Sequence, residues 1–303
     1  MSEQHNSYDV IIVGGSYAGL SAALALGRSL KSTLVIDGGK PCNRFTPASH
    51  NFLTQDGQAP AVIATSALEQ VKAYDNVKFH SGLAVSGAKE PDGFSIEVDN
   101  GTRFFCNRLI FGTGIIDQLP DIPGFSECWG KSVIHCPYCH GYEYRGQKTG
   151  IWATVDQAFH LATLVHNLTE DLILFIQGDS QFNKEQLSRL NHRGVALVSA
   201  DITSISHQNG MIKSIHLANG SSVSLDALYA GVPFTQSSTI PESLGCRLTE
   251  SGHIEVDAMQ KTTEPGIYAC GDCTTPLRSV ASAVAAGNFA GAVANMELSQ
   301  AQF

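Results

Sequence analysis

The sequence has no surplus of positive charge. Its 19 lysines and arginines face 28 aspartates and glutamates, a formal net charge of −9 over 303 residues. A nucleic-acid binder or a protein that docks on an anionic membrane carries a basic footprint, so neither class is expected. No stretch reaches the roughly 18–20 apolar residues of a membrane span. The opening MSEQHNSYDV lacks the basic start and apolar run of a secretory signal, which leaves a cytoplasmic protein as the expectation. Tandem repeats and low-complexity segments are absent. With 43% hydrophobic and 16% charged residues the chain is too apolar to be disordered. Its length suits about two domains.

Cysteine is not scarce. The eight cysteines are scattered, and in a reducing compartment that pattern points to thiol chemistry or metal binding rather than a disulfide scaffold. Cys136/Cys139 and Cys270/Cys273 have CxxC spacing. Cys42, Cys106, Cys128 and Cys246 stand alone and are expected to pack as small buried apolar residues.

The chain opens as strand, turn, helix, strand. YDVIIVG (8–14) is a continuous apolar run, as in a parallel strand buried on both faces. GGSYAG and a small-residue helical stretch follow, and STLVID ends at Asp37. This is a βαβ unit, which implies a right-handed crossover and a parallel sheet. A helix is expected near 59–73, short alternating strands over 77–105, and a buried strand at LIFGTG (109–114). LPDIPG resembles an interdomain link. Beyond it come the strand TGIWA, a helix over about 156–167, the strand DLILFI and alternating strands over 194–229. AGVPFTQ (230–236) is a second crossing, and GIYACGD with an Ala-rich helix over about 277–298 closes the chain. The expected division is a discontinuous domain of residues 1–117 and 237–303, with residues 118–236 inserted.

The first turn carries dinucleotide chemistry. In such a turn the first glycine makes the tight bend, the second lets backbone approach a pyrophosphate, and the third lets helix and strand pack closely. Gly14 and Gly19 hold the first and third places, with Ser16 at the second; serine is small and can hydrogen-bond a phosphate. The following helix presents unpaired N–H groups and a positive dipole end. Asp37 ends the second strand 18 residues past Gly19, where an acid accepts from a ribose hydroxyl. The bland alternative is a glycine-rich turn with no ligand.

HCPYCHGYE (135–143) is the most informative segment. Two cysteines three apart at the start of a helix can close a disulfide, and the helix dipole lowers a thiol pKa there. Pro137 suits the first helical position. His140 is an imidazole able to move a proton to or from a thiolate near neutral pH. Zinc is the rival: Cys136, Cys139 and His135 or His140 offer three ligands, and Cys270 with Cys273 would complete an all-cysteine site. An inert pair is the third reading. Cys270 and Cys273 follow an apolar strand and read as structural, so no metal is expected.

Taken in order, VIIVGGSYAGLSAA, IDGGKPCNRF, FGTG, CPYCHG, GVPF, IYACGDCTT and RSVASAVAAG resemble the low-molecular-weight thioredoxin reductase family of flavoproteins over essentially the whole chain. The resemblance implies an α/β two-domain flavoprotein: a discontinuous Rossmann-like FAD domain with an inserted, degenerate nucleotide-binding-like domain that carries the CxxC. It implies a homodimer and bound FAD. By position, Gly14, Ser16 and Gly19 would meet the pyrophosphate and Asp37 the adenosine ribose. Asp272, beside Gly271, matches the acid of the ribityl chain, and Ser279 and Val280 open a helix that faces the flavin pyrimidine edge. Cys139 matches the flavin-proximal sulfur and Cys136 the interchange sulfur; His140 stands where the family has an acid. His50 could pass near the flavin but reads as a plain loop histidine. Trp129 and Tyr138 read equally as pocket lining or packing, and Arg278 as a partner of cofactor or solvent.

The inserted domain departs from the family. Aligning Asp156, Gln157 and Ala158 with the family's Asp-Ser-Ala puts Ala153 and Val155 where two glycines of the NADPH turn belong. Each adds a side chain where backbone must bend or touch pyrophosphate. DLILFIQGDSQFN offers no arginine or lysine before Lys184, and Asp179 puts a negative charge near the expected 2′-phosphate. With flavin and dithiol kept and the nicotinamide supply gone, two relatives fit. One is the gliotoxin- and holomycin-type dithiol oxidase, in which dioxygen takes the electrons; the other takes electrons from a carrier protein, ferredoxin. The anionic balance argues mildly against acidic ferredoxin. The expectation is a FAD-dependent thiol-disulfide oxidoreductase acting on a small-molecule dithiol or a thioredoxin-like protein, with dioxygen favoured as acceptor. An NAD(P)H- or ferredoxin-dependent thioredoxin reductase and a non-enzymatic flavin redox sensor are the alternatives.

Overall fold

The computed structural model describes residues 6–178 and 181–303. They group into two units. The first comprises Met1–Arg44, Phe52–Ile116 and Thr235–Phe303, the second Phe45–Asn51 and Asp117–Phe234.

In the first unit the strand Ser7–Val13 sits mid-sheet. Successive side chains of a strand point to opposite faces. Accordingly Val10 and Ile12 join one apolar core and Ile11 and Val13 the other, which is why the run is apolar without alternation. The strand pairs in parallel with Thr33–Asp37, Val13 opposite Ile36, and with Arg103–Phe111, Val13 opposite Phe111. Val77–Ser81 extends the sheet beyond Thr33–Asp37. The far edge of Arg103–Phe111 is shared: antiparallel Gly93–Val98 pairs with its beginning and parallel Ile267–Ala269 with its end. The helices Tyr17–Arg28 and Val280–Gln302 meet through backbone: a Cβ on Gly287 would fall 2.0 Å from the Ala18 carbonyl oxygen, and one on Gly291 2.6 Å from that of Ala22.

The second unit holds a parallel sheet in the order Ala196–Val198, Leu172–Ile176, Thr149–Ala153, Ala227–Ala230, Val133–Ile134. A separate antiparallel sheet is formed by Ile202–Gln208, Met211–Leu217 and Ser222–Ser224. The helix Val155–Val165 leaves Thr149–Ala153 directly after Thr154.

Two features differ from the sequence expectation. Residues 45–51, assigned to the first part of the terminal domain, group with the second unit. There Phe45 lies so close to Gly130 that a Cβ on that glycine would be 3.0 Å from the Phe45 Cβ. A helix, Lys184–His192, was not expected, because its sequence KEQLSRLNH has too few apolar residues to show a helical stripe. Its start signal is a capping box: the Asn183 side chain accepts from the Gln186 N–H at 2.9 Å, and the Gln186 side chain accepts from the Asn183 N–H at 2.9 Å. No described helix is long and apolar enough to cross a membrane.

Candidate active site

The glycine-rich turn of the first unit is shaped by close backbone contacts. Gly14 has φ of 105°, and a Cβ there would lie 2.3 Å from the Gly112 carbonyl oxygen, so the strand ends at 14 and 112 meet through backbone alone. A Cβ on Gly19 would fall 1.8 Å from the Gly14 carbonyl oxygen, the close helix–strand contact that requires glycine. Ser16 caps the helix in extended conformation with no side-chain hydrogen bond into the first turn, which also has no acidic residue. The N-terminal N–H groups and the dipole are therefore not spent on a carboxylate of the helix itself. Asp37 is held at the turn: the Gly15 N–H donates to its Oδ1 at 3.1 Å. Gly15 and Gly112 were missed by the sequence argument, although the doubled glycine of GGSYAG and the FGTG motif were the available signals.

At the other end of the same unit Ser279 caps Val280–Gln302, its Oγ accepting from the Ser282 N–H at 3.0 Å, so Val280 is the first helical residue. Gly271 has φ of 81° beside Asp272. Arg278, expected to meet cofactor or solvent, lies with its Nε 3.8 Å from Asp272 Oδ2. Its Nη2 also stands 2.9 Å from the Cys42 Sγ. Cys42 is thus half-buried beside a cation, not the buried apolar residue expected. Cys106, Cys128 and Cys246 are buried as expected. Cys270 and Cys273 are fully buried, and burial pushes the Cys273 thiol up to about 11. Such thiols stay protonated and inert.

The second unit carries the dithiol. Cys136 is the extended N-cap of a four-residue helix, Pro137–His140, with proline at its first position. The N–H groups of Cys139 and His140 both donate to the Cys136 carbonyl at 3.3 Å. Both cysteines are partly exposed, in contrast to the buried pair at 270 and 273. His140 is held below its ordinary value of 6.5, first by burial and then by the charge of His50, with Glu143 opposing. It is therefore a neutral base at pH 7. His50 is no plain loop histidine: its Nε2 is 3.5 Å from Glu143 Oε1, and its ring meets that of His140 edge-on at 6.5 Å. Trp129 is buried, stacking on Phe125 at 6.0 Å and on His135 at 6.1 Å, whereas Tyr138 is exposed. Among the described residues no group of three or more His, Cys, Asp or Glu is placed to hold a metal ion.

The second αβ turn carries Ala153 and Val155 where the sequence comparison places glycines. Ala153 ends its strand fully buried, and Val155 begins the helix, buried, with Asp156 in the first turn. The Gln177 side chain, at the end of Leu172–Ile176, donates to the Trp152 carbonyl at 3.2 Å and the Gly231 carbonyl at 3.1 Å, bridging two strand ends. Asp179, read from sequence as a negative charge near this turn, lies outside the described residues.

The pyridine nucleotide-disulphide oxidoreductase family model matches residues 8–287. A thioredoxin reductase, tcpT of Claviceps purpurea (strain 20.1), is 32% identical over 304 residues, covering 97% of this chain and 95% of its own. Among solved structures, an oxidoreductase from Agrobacterium tumefaciens is 39% identical with a TM-score of 0.91, covering 97% of this chain and 99% of its own. The structure of HlmI is 28% identical with a TM-score of 0.92, covering 99% of this chain and 95% of its own. With both glycine-bearing strand ends and a CPYC turn in place, the chain belongs to the pyridine nucleotide-disulphide oxidoreductase family, among its thioredoxin reductase-like, FAD-binding enzymes.

Proposed function

We propose that this enzyme is a dithiol oxidase that works without NAD(P)H, converting a small-molecule dithiol and dioxygen to the disulfide and hydrogen peroxide. The observation that carries the reading is the second αβ turn. Ala153 and Val155 fill the places of two glycines, Asp156 sits in the first helical turn, and Gln177 ties the neighbouring strand ends together. A pyrophosphate needs bare backbone and a positive end there.

The residues of the first unit fit a dinucleotide: Gly14, Ser16 and Gly19 at its pyrophosphate, Asp37 at its adenosine ribose, and Gly271, Asp272, Ser279 and Val280 along the rest. FAD bound there supplies the two-electron exchange between the thiol pair and dioxygen.

The rest belongs to side chains of the second unit. A substrate thiolate attacks Cys136 of the Cys136–Cys139 disulfide; the new bond joins substrate sulfur to Cys136, and Cys139 leaves as thiolate. The second substrate thiol then attacks the substrate sulfur of that mixed disulfide, releasing the substrate disulfide and the Cys136 thiolate. His140, neutral at pH 7 and next to Cys139 in the chain, takes the proton that the second thiol loses. The substrate leaves two electrons lighter and both cysteines are reduced.

The similarity to the thioredoxin reductase tcpT favours a second reading, a thioredoxin reductase fed by NAD(P)H or a carrier protein. Anaerobic titration of the holoenzyme separates the two. Bleaching of the yellow colour by a dithiol, with peroxide release on admitting air and no bleaching by NADPH within minutes, is expected. Prompt bleaching by NADPH, or bleaching only by reduced ferredoxin, overturns the oxidase reading. A single stoichiometric reduction without turnover points to a redox sensor and overturns it as well.

A further inference from the structure

Tyr229 lies in the innermost part of the second unit, on the strand Ala227–Ala230, and 1% of its surface is exposed. Its register opposite Ile134 places it beside the strand that runs, two residues on, into Cys136. The ring reaches the CPYC turn from below: a Cβ on Gly141, whose N–H closes that turn on the Pro137 carbonyl at 2.9 Å, would sit 2.8 Å from the Tyr229 hydroxyl. Yet this buried hydroxyl has no hydrogen-bond partner. Burying an unsatisfied hydroxyl costs about 1–3 kcal/mol, so an O–H left over beneath a redox turn calls for an acceptor that appears during turnover.

We propose that Tyr229 is a positioning residue for the dithiol: its O–H donates to the Cys136 sulfur when that sulfur becomes a thiolate, and has no acceptor of comparable strength when the sulfur is a thiol or disulfide. The inference rests on the reading of Cys136 and Cys139 as the redox pair. A hydrogen bond to an anionic acceptor is shorter and stronger than a neutral one, so the donor favours the thiolate selectively. Tyr229 keeps its proton throughout; in turnover Cys136 is released already as thiolate, and in titration of the reduced enzyme its proton leaves to solvent.

Burial comes first among the influences that raise the Tyr229 pKa, followed by the charges of Cys136, Glu143, Tyr144 and Cys139 in that order. The phenol is therefore a donor at every working pH, with Cys136 the first of the charges that act on it. The titratable groups around the turn also include His135, Tyr138, His140 and Tyr142, with His50 and Glu143 beside His140. Tyr144 is spoken for: its hydroxyl donates to the Lys131 carbonyl at 2.9 Å.

The test is the pH profile of alkylation of the Cys136 peptide in the reduced holoenzyme, followed by mass spectrometry. In Tyr229→Phe the midpoint should move up by about one pH unit relative to wild type, a roughly tenfold loss of thiolate at a pH below both midpoints. Should that variant fail to fold, 3-fluorotyrosine placed at 229 keeps the ring and makes a stronger donor, and the midpoint should move down. A midpoint unmoved by whichever substitution folds overturns the inference. If the Cys136 peptide is no more reactive than that of a buried cysteine even in wild type, the reading of the redox pair fails instead, so the two failures are distinguishable.

Discussion

His50 stands with its Nε2 3.5 Å from Glu143 Oε1, and this pair flanks His140. The arrangement sets a pH dependence with a definite sign. Burial and the His50 charge disfavour a second proton on His140, so the group titrates below 6.5, its value in the unfolded chain. The folded state then binds this proton less readily than the unfolded one. Its stability is fully present above about pH 6.5 and falls as the pH drops through the lower value. Oxidation of a dithiol should show an acid limb below pH 6.5. His50→Gln removes the ring whose charge opposes a second proton on His140 while leaving Glu143, so the limb should shift upward. His140→Gln should abolish the limb and slow turnover by about 10²-fold or more. A rate profile unchanged in both variants would remove His140 from proton transfer.

The two cysteines should separate cleanly. Cys139→Ser removes the disulfide that a substrate dithiol would attack and leaves Cys136 a lone thiol, able only to open a substrate that is already a disulfide. Offered the disulfide form of the substrate, the Cys136 thiolate should attack one sulfur and expel the other as thiolate, leaving an adduct on Cys136 visible by mass spectrometry; FAD should stay bound, and a dithiol should cause no bleaching. Cys136→Ser should form no such adduct. Thiol-dependent bleaching that persists in Cys139→Ser would refute the assignment of the flavin-proximal sulfur.

What could be read from the sequence is what local chemistry encodes. The apolar run ending at Gly14, the acid at Asp37 and the proline inside CPYC each state a backbone requirement within a few residues, and the structure has the strand, turn and short helix in those places. Ala153 and Val155 were readable for the same reason, since a missing glycine is a local fact. Long-range partners were not. Gln177 reaches Gly231 across 54 positions, and nothing in QGDSQFN announces it. Tyr229 looks like any core aromatic until its hydroxyl is seen to lack an acceptor. His50 came with a turn-rich context that suggests a plain loop, because its meaning depends on Glu143, 93 residues away.

The crossing of Tyr17–Arg28 with Val280–Gln302 predicts an intolerant glycine. A methyl group at position 287 would fall 2.0 Å from the Ala18 carbonyl oxygen, which is backbone and cannot rotate aside. Relieving that overlap forces the helices apart, and overpacking of this kind costs about 1–3 kcal/mol. Gly287→Ala should therefore lower the denaturant midpoint and loosen FAD, which is proposed to bind at the turn before the first of these helices. Asn288→Ala, on the exposed side of the same helix, should change stability by less than about 0.5 kcal/mol. Equal stability of the two variants would show that the helices can separate freely.

The closed second turn makes the most discriminating prediction, because it runs against the usual effect of mutation. Val155, buried at the start of its helix, is proposed to take space that a nucleotide phosphate needs as bare backbone, and Gln177 spends its amide on the carbonyls of Trp152 and Gly231. Restoring glycine at 153 and 155 removes the steric block, and Gln177→Arg both frees the strand ends and adds the missing cation. Each change alone leaves one obstacle in place, so the single variants should bind NADPH no better than wild type. The triple variant should bind it at least about tenfold more tightly, a gain of ~1.4 kcal/mol, measured by fluorescence titration. Gln177→Ala in the wild-type background should instead cost roughly 1–3 kcal/mol of stability, because two hydrogen bonds that hold the strand ends are lost together. If wild type already binds NADPH at micromolar concentration, the turn is open to a nucleotide, and electrons have a route into the enzyme that the oxidase mechanism leaves out.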